Sequence, residues 1–175
     1  VVSENMERGL MPFSKLYLGT LDWHFSTIGL VGMNEACLNL LGKDIGTPVG
    51  EAFSIKTLEY MRKRAVEFQE ETGHIYNIEA TPAEGASHRL ARLDRERYPD
   101  IVTAGVDAPY YTNSTQLPVN YTDDLYDAMR KQEKLQALYT GGTVFHVFLG
   151  ERIAEPESCK LLVRRIAERF RIPYY

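Results

Sequence analysis

Short apolar runs alternate along this chain with stretches of helical periodicity, and this alternation constrains the fold more than any other feature. Residues 25–31 are apolar and β-branched, residues 75–80 alternate in polarity, and residues 143–149 are continuously apolar, so each is predicted to be a β-strand. Apolar residues recur every three or four positions over 51–72, which predicts a long helix. Strands that are apolar on both faces and separated by helices favour an α/β fold, with a parallel sheet covered by helices.

Capping signals predict where the helices begin and end. Thr81, Pro82 and Glu84 match a capping box that opens a helix running to about Arg97. The other predicted elements are a helix over 35–41 capped by Asn34 and ended by Gly42, the end of the 51–72 helix at Gly73, a short strand near 109–113, a helix over 123–138 capped by Thr122, and a last helix from Glu155-Pro156 to about Phe170.

Charge and cysteine content exclude several classes of protein. With 20 Lys and Arg against 24 Asp and Glu, the net charge is −4, and no basic surplus points to a nucleic-acid groove. No run approaches the roughly 18 apolar residues of a membrane span. Cys37 and Cys159 form neither a CxxC nor a zinc-ligand pattern, so we predict no metal site in this chain and expect a reducing cytoplasm. Because the chain starts without Met and ends without a polar tail, we expect residues 1–175 to form one segment of a longer protein.

The stretch Asn77–Ser87 is the most informative for function, because a strand runs there into a capped helix start made of small residues. Free N–H groups and the positive dipole end of a helix N-terminus favour a phosphate, and small side chains let it approach. We therefore predict phosphate binding at Thr81, Glu84, Gly85, Ala86 and Ser87. The alternative is that Thr81 and Glu84 only cap the helix.

Two further positions carry polar groups suited to a site. Glu79 is a carboxylate inside an apolar strand, where it needs a partner or a function, so we predict a catalytic or ligand contact, with a salt bridge as the alternative. Thr112, Asn113, Ser114 and Thr115 offer hydrogen bonds to a sugar or a phosphate, or else form a solvated turn.

Three residues with reactive side chains are predicted to be structural. His146 falls inside a predicted buried strand, where a histidine is more often a core residue than a base or a ligand. Cys37 and Cys159 both fall on apolar helix stripes, where a free thiol behaves as a small hydrophobic group.

Four stretches of the chain, in their order and spacing, together resemble the anaerobic (class III) ribonucleoside-triphosphate reductases. They are HFSTIGLVGMNE at 24–35, YNIEATPAEG at 76–85, YYTNSTQLP at 110–118 and YTGGTVFH at 139–146. The resemblance covers essentially the whole chain.

The resemblance implies part of a ten-stranded α/β barrel of the glycyl-radical-enzyme type. In that family a glycyl radical generates a thiyl radical, which abstracts the 3′-hydrogen of a ribonucleoside triphosphate; the 2′-hydroxyl leaves as water, and formate or a redoxin is the reductant. A structural zinc, a radical-SAM activating enzyme and a homodimer are also implied for the parent protein. This chain does not include the radical cysteine, the zinc module or the glycyl-radical motif, so it is expected to form barrel wall and substrate cradle and to be inactive alone. The resemblance strengthens the phosphate role of residues 81–87 and gives Glu79 a polar role toward the sugar or its reductant.

Two other interpretations stay open at this point. One is a glycyl-radical enzyme that resembles pyruvate formate-lyase, which shares the barrel and acts on acyl groups. The other is an inactive folded fragment that self-associates, because the end strands of an incomplete barrel lack partners.

Overall fold

The computed structural model describes residues 1–146, 149 and 152–175. In chain order the elements are α1 (Val2–Glu7), α2 (Pro12–Leu18), β1 (Ser26–Gly29), α3 (Met33–Leu41), α4 (Pro48–Thr72), β2 (Tyr76–Glu79), α5 (Glu84–Arg97), α6 (Leu125–Gln136) and α7 (Pro156–Arg169). The chain is therefore a mixed α/β structure, as the alternation of patterns predicts.

The two strands form a small parallel sheet. β1 pairs with β2 in a register that sets Ser26 opposite Tyr76 and Gly29 opposite Glu79. Both strands lie within predicted strands, and their parallel pairing is confirmed. Residues 140–142 follow the other edge of β2 in the same direction: the Gly141 amide donates to the Ile78 carbonyl at 2.8 Å, and the Ala80 amide donates to the Gly142 carbonyl at 2.9 Å.

The strand predicted over 143–149 is wrong for the residues that the structure describes. Residues 143–146 and Leu149 have no strand conformation, and Val147 and Phe148 lie outside the described residues. The hydrogen bonds to β2 come from the residues just before this run, where two glycines allow close approach. A Cβ on Gly141 would lie 3.0 Å from Nδ2 of Asn77, so a larger residue could not take this path without a shift.

The short strand predicted near 109–113 is also wrong, because no regular strand forms there. Only two isolated antiparallel bridges form there, between Val31 and Asn113 and between Ala104 and Tyr110. The segment instead curves over the ends of the two strands.

Two apolar clusters hold the elements together. α4 packs against β2, α3 and α6, so it joins the sheet to two other helices. The larger cluster combines buried residues of α3, α4, β2 and α6 with residues of the connecting loops: Met33, Cys37, Ile45, Leu58, Ile78, Leu135 and Tyr139. The smaller cluster joins α6 and α7 through Met129, Phe145, Ile166 and Ile172.

The helix caps differ from prediction at three starts. α3 begins after Gly32, whose φ of +79° suits glycine, and not after Asn34, which is buried and accepts a hydrogen bond from the Ile45 amide. Asp124, and not Thr122, caps α6 by accepting from the amides at 126 and 127. The predicted stops at Gly42 and Gly73 are confirmed, since both residues adopt the left-handed conformation.

The capping box at α5 is the third difference. Residues 81–83 are not helical, α5 begins at Glu84, and no side chain caps it. Thr81 instead packs beside β1, where a Cβ on Gly29 would lie 3.3 Å from its Oγ1. Because α5 begins two residues later than the capping box predicts, Thr81 does not reach the first turn of the helix, and that turn is left uncapped.

The first 25 residues contain two short helices that periodicity does not predict, α1 and α2, which contact each other. Within the described ranges, the helices are too short or too polar to cross a bilayer.

Candidate functional site

A cavity of about 500 Å³ opens beside the N-terminal turn of α5. Its wall is formed by Glu84, Ser87 and His88 of α5, by residues 110–113 and 116–123, by the start of α6, and by Phe145, His146 and Leu149. Such a volume is in the range of small-molecule sites.

The cavity lies where the two parallel strands end. Residues 110–116, here called the 110–116 loop, cross this end: Val31, two residues after β1, bridges to Asn113, and the Ala83 amide, just before α5, donates to Oδ1 of Asn113 at 3.1 Å. The carboxyl ends of parallel strands are where α/β proteins usually bind ligands.

The uncapped start of α5 leaves backbone donors free at the edge of this cavity. The first hydrogen bond into the helix comes from the Ser87 amide, which donates to the Ala83 carbonyl. In the described part of the chain, the amides of Glu84, Gly85 and Ala86 have no acceptor. Together with the helix dipole, these three donors form a place where a negative group is stabilised.

Four of the ten predicted site residues line the cavity: Glu84, Ser87, Thr112 and Asn113. The carboxylate of Glu84 is exposed and forms no hydrogen bond with the residues described. The Ser87 hydroxyl donates to the Tyr111 carbonyl at 2.6 Å and accepts from the Tyr111 amide at 3.0 Å, so it fastens the loop to α5. The Nδ2 group of Asn113 has no acceptor within the described ranges and is free to donate.

The other six predicted residues do not line the cavity. Ser114 and Thr115 are turned into the core, where the hydroxyls of Thr115 and Tyr139 share a hydrogen bond of 3.0 Å. Ser114 has a φ of +48°, and its hydroxyl has no partner among the described residues. Gly85 and Ala86 are exposed on the first turn of α5, and Thr81 packs beside β1.

Glu79 is the last residue of β2 and is half-buried. Its side chain lies beside Gly142, where a Cβ would stand 3.6 Å from the Glu79 carboxylate. No salt bridge to it is found in the described part of the chain. It is separate from the cavity wall.

Most of the aromatic and titratable residues that line the cavity were not predicted from the sequence. His146 is exposed and lines the cavity, so its prediction as a core histidine is wrong. His88 is held by the Pro109 carbonyl at 3.0 Å and stacks obliquely on Tyr110 at 5.7 Å. The wall over 116–123 turns at Asn120, which has a φ of +66°; only Pro118 and Asn120, residue types that favour turns, could have signalled it.

The charges around the cavity are unusual for an anion site. No lysine or arginine lines the wall in the residues described, whereas Glu84 and Asp123 do. Burial, with Asp94 as a hydrogen-bond partner, raises the pKa of Tyr111, and burial next to Asp44 raises the pKa of Tyr121. A phenol with the ordinary pKa of about 10 is already protonated at neutral pH, and these shifts act in the same direction, so neither tyrosine adds a charge to the cavity. A negative ligand must be met by backbone amides, hydroxyls and histidines.

Neither cysteine belongs to this site. Cys37 is fully buried, with Sγ 3.5 Å from the Ser54 hydroxyl, and burial raises the pKa of its thiol. Cys159 is exposed on α7, so its predicted place on a packed apolar stripe is wrong. Over residues 1–146, 149 and 152–175, no group of three or more His, Cys, Asp or Glu side chains is placed to hold a metal ion.

Known proteins similar to this chain point in one direction. A family model described as "Anaerobic ribonucleoside-triphosphate reductase" matches residues 1–175. Proteins of that name from Enterobacteria phage T4 and Escherichia coli K12 are each 28% identical to this chain; the matches cover 70% and 67% of it but only 19% and 17% of the relatives. The anaerobic ribonucleotide reductase from Thermotoga maritima, solved with MES in the active site, superposes with a TM-score of 0.77 at 28% identity, covering 98% of this chain and 29% of that one. The same reductase in complex with dATP and CTP gives a TM-score of 0.74 at 28% identity, covering 95% of this chain and 28% of that one. The chain thus spans about a fifth of the curated relatives it matches, and it belongs to the anaerobic ribonucleoside-triphosphate reductase family.

Proposed function

We propose that this chain forms part of the barrel wall and the substrate cradle of an anaerobic ribonucleotide reductase, and that a ribonucleoside triphosphate occupies the cavity beside α5. The observation that carries the proposal is the set of three unpartnered amides at residues 84–86, at the edge of a cavity of about 500 Å³. The dATP and CTP complex of the Thermotoga maritima reductase supports nucleotide binding by relatives of this chain.

The triphosphate, in this proposal, lies against the first turn of α5. Small residues at 85 and 86 leave the backbone accessible, and the helix dipole stabilises the phosphate charge. Since the described wall lacks lysine and arginine, backbone amides carry most of this interaction. A ribonucleotide reductase is favoured over an acyl-transferring glycyl-radical enzyme, because the matching family and relatives are ribonucleotide reductases.

The sugar lies toward the 110–116 loop. The Nδ2 group of Asn113 is available as a donor, and the carboxylate of Glu84, which is not used in a cap, is available as an acceptor. Glu79 stays a candidate polar group for the sugar or its reductant, since its carboxylate is half-buried at the end of β2.

The barrel itself extends beyond this chain in the proposal. Residues 140–142 already add a third parallel segment to β2, and the outer edge of β1 is exposed, so further strands have a place to pair. In this proposal the glycyl radical, the radical cysteine and the zinc lie in other parts of the parent protein, whereas the reductant and the activating enzyme are separate molecules that act on it.

The proposal is tested in the full-length reductase that contains this segment. Gly85→Pro removes one free amide from the first helical turn, where proline is tolerated. Gly85→Ala keeps the amide and is the matched control, since a Cβ there meets nothing within 4 Å. We expect calorimetric affinity for a ribonucleoside triphosphate to fall at least tenfold in the proline variant, as expected for one lost charge-assisted hydrogen bond, and about threefold at most in the alanine variant.

Equal affinity in the two variants would contradict the amide cradle. Absence of deoxyribonucleotide formation by the activated wild-type parent would contradict the proposed activity itself.

A further inference from the structure

The carboxylate of Glu35 is buried, and none of the described residues gives it a positively charged partner. Glu35 is 1% exposed, and its carboxylate is met only by neutral donors in the part of the chain described: Nδ2 of Asn34 at 2.9 Å, the Thr112 amide at 2.8 Å and the Thr112 hydroxyl at 2.7 Å. A buried charge is costly unless hydrogen bonds replace its water. Here the first turn of α3 and the two donors of Thr112 provide that replacement.

Both donors of Thr112 go to this one side chain. Thr112 lies 77 positions along the chain from Glu35 and is itself 7% exposed. Its carbonyl accepts from the Gly32 amide at 2.8 Å, so every polar group of Thr112 is directed toward the start of α3. The Met33 amide adds a contact of 3.1 Å to the Ser114 carbonyl.

The opposite side of the 110–116 loop is held by α5. Ser87 pairs with both backbone groups of Tyr111, and the Ala83 amide donates to Asn113. The loop is therefore held by hydrogen bonds between the N-terminal turns of α3 and α5. Thr112 and Asn113, the residues at its centre, line the main cavity.

Glu35 itself lies behind the loop. It lines a second cavity of about 460 Å³ and not the main one, so it acts on the main cavity only through Thr112. Asn34, its neighbour, instead braces the loop after α3 through the Ile45 amide. The two adjacent side chains thus support different segments.

We propose that Glu35 is a positioning residue for the substrate cavity, which fixes the 110–116 loop at Thr112 so that Asn113 meets the bound nucleotide. The inference rests on the proposed function of that cavity. If either oxygen of Glu35 is lost, a donor of Thr112 loses its acceptor, and the loop shifts relative to α5. Substrate binding is then weakened more than turnover.

The test uses the activated full-length reductase and steady-state kinetics with a ribonucleoside triphosphate. In Glu35→Gln one oxygen is replaced by an NH₂ group, which cannot accept from Thr112. We expect KM to rise about tenfold, the effect of losing a hydrogen bond to a charged group, with kcat changed less than twofold. Glu51→Gln is the matched control: it also removes a carboxylate from a first helical turn, that of α4, but its partner is Lys134 and it does not touch the loop.

A second series guards against a folding defect in Glu35→Gln. Thr112→Ser keeps both donors and should match the wild type, whereas Thr112→Val loses the hydroxyl and should raise KM. Combined with Glu35→Met, which keeps the length of the side chain and removes both oxygens, Thr112→Val should add little, because the Thr112 hydroxyl has already lost its acceptor.

A lowered unfolding temperature with unchanged KM in both Glu35→Gln and Thr112→Val would overturn the positioning role. So would fully additive effects in the double variant. A wild-type parent that does not reduce ribonucleotides would instead refute the proposed function, which distinguishes the two failures.

Discussion

The glycine pair that follows β2 offers a sharp test of how this sheet closes. A Cβ on Gly141 would lie 3.0 Å from Nδ2 of Asn77 and 3.2 Å from the Ile78 carbonyl oxygen, closer than ordinary packing allows. A Cβ on Gly142 would lie 3.6 Å from the Glu79 side chain, at ordinary contact distance. Gly141→Ala should therefore disturb the sheet edge, and Gly142→Ala should not.

The expected magnitude follows from overpacking, which costs about 1–3 kcal/mol. Part of the close contact is with a backbone carbonyl, which cannot rotate away. Because each 1.4 kcal/mol is tenfold, the segment 140–142 should detach from β2 about 5- to 150-fold more often in Gly141→Ala.

The assay is hydrogen–deuterium exchange of the full-length protein, followed in peptides that contain Ala80. The Ala80 amide is bonded to the Gly142 carbonyl at 2.9 Å, so its exchange reports detachment directly. The Ser26 amide, bonded to the Ile75 carbonyl on the other side of the sheet, is an internal reference. Equal exchange in the two alanine variants, or wild-type exchange in Gly141→Ala, would refute the steric reasoning.

Three further predictions concern single side chains. Gly85→Ala should stabilise α5 by about 0.5–1 kcal/mol, since alanine favours a helix and its Cβ meets nothing within 4 Å; slower amide exchange in α5 measures this, and faster exchange would contradict it. Iodoacetamide at pH 8 should modify exposed Cys159 and spare buried Cys37, whose thiol pKa is raised by burial, with mass spectrometry as the readout and labelling in urea as the control. Burial raises the pKa of Tyr139 above its ordinary 10, so the unfolded chain ionises first and the stability contribution present below pH 10 is lost as pH rises further. The stability advantage of wild type over Tyr139→Phe should therefore shrink by up to about 1.4 kcal/mol per pH unit above 10. Denaturant unfolding at pH 8 and pH 11 measures this advantage, and an equal value at both pH values would contradict the prediction.

The regular elements were the most predictable part of this fold. Repeated apolar spacing locates α4 and α7, and β-branched or alternating runs locate β1 and β2. Helix starts were less predictable because several side chains in the right place compete for one cap. At α6, Thr122 and Asp124 both suit the role; Asp124 takes it, while Thr122 accepts a bond from the Asp124 amide.

The candidate site was predictable in location but not in detail. The pattern of residues 77–87 indicates a helix start after a strand, and the cavity does lie beside it. A sequence does not show which polar groups are already used by the protein. Ser87 and Thr112 are occupied by backbone and carboxylate partners, and Thr115 is turned inward. His146 was misplaced because its predicted strand does not form in the described residues, so the face on which it lies could not be inferred.

The double anchoring of the 110–116 loop has a consequence for affinity. Since Ser87 bonds to the loop from one side and Glu35 from the other, hydrogen bonds within the chain itself hold its backbone in place. A ligand that enters need not immobilise this segment, and the entropic penalty of freezing a mobile loop is absent from its binding free energy. Contacts made by Asn113 should consequently appear almost undiminished in the measured affinity.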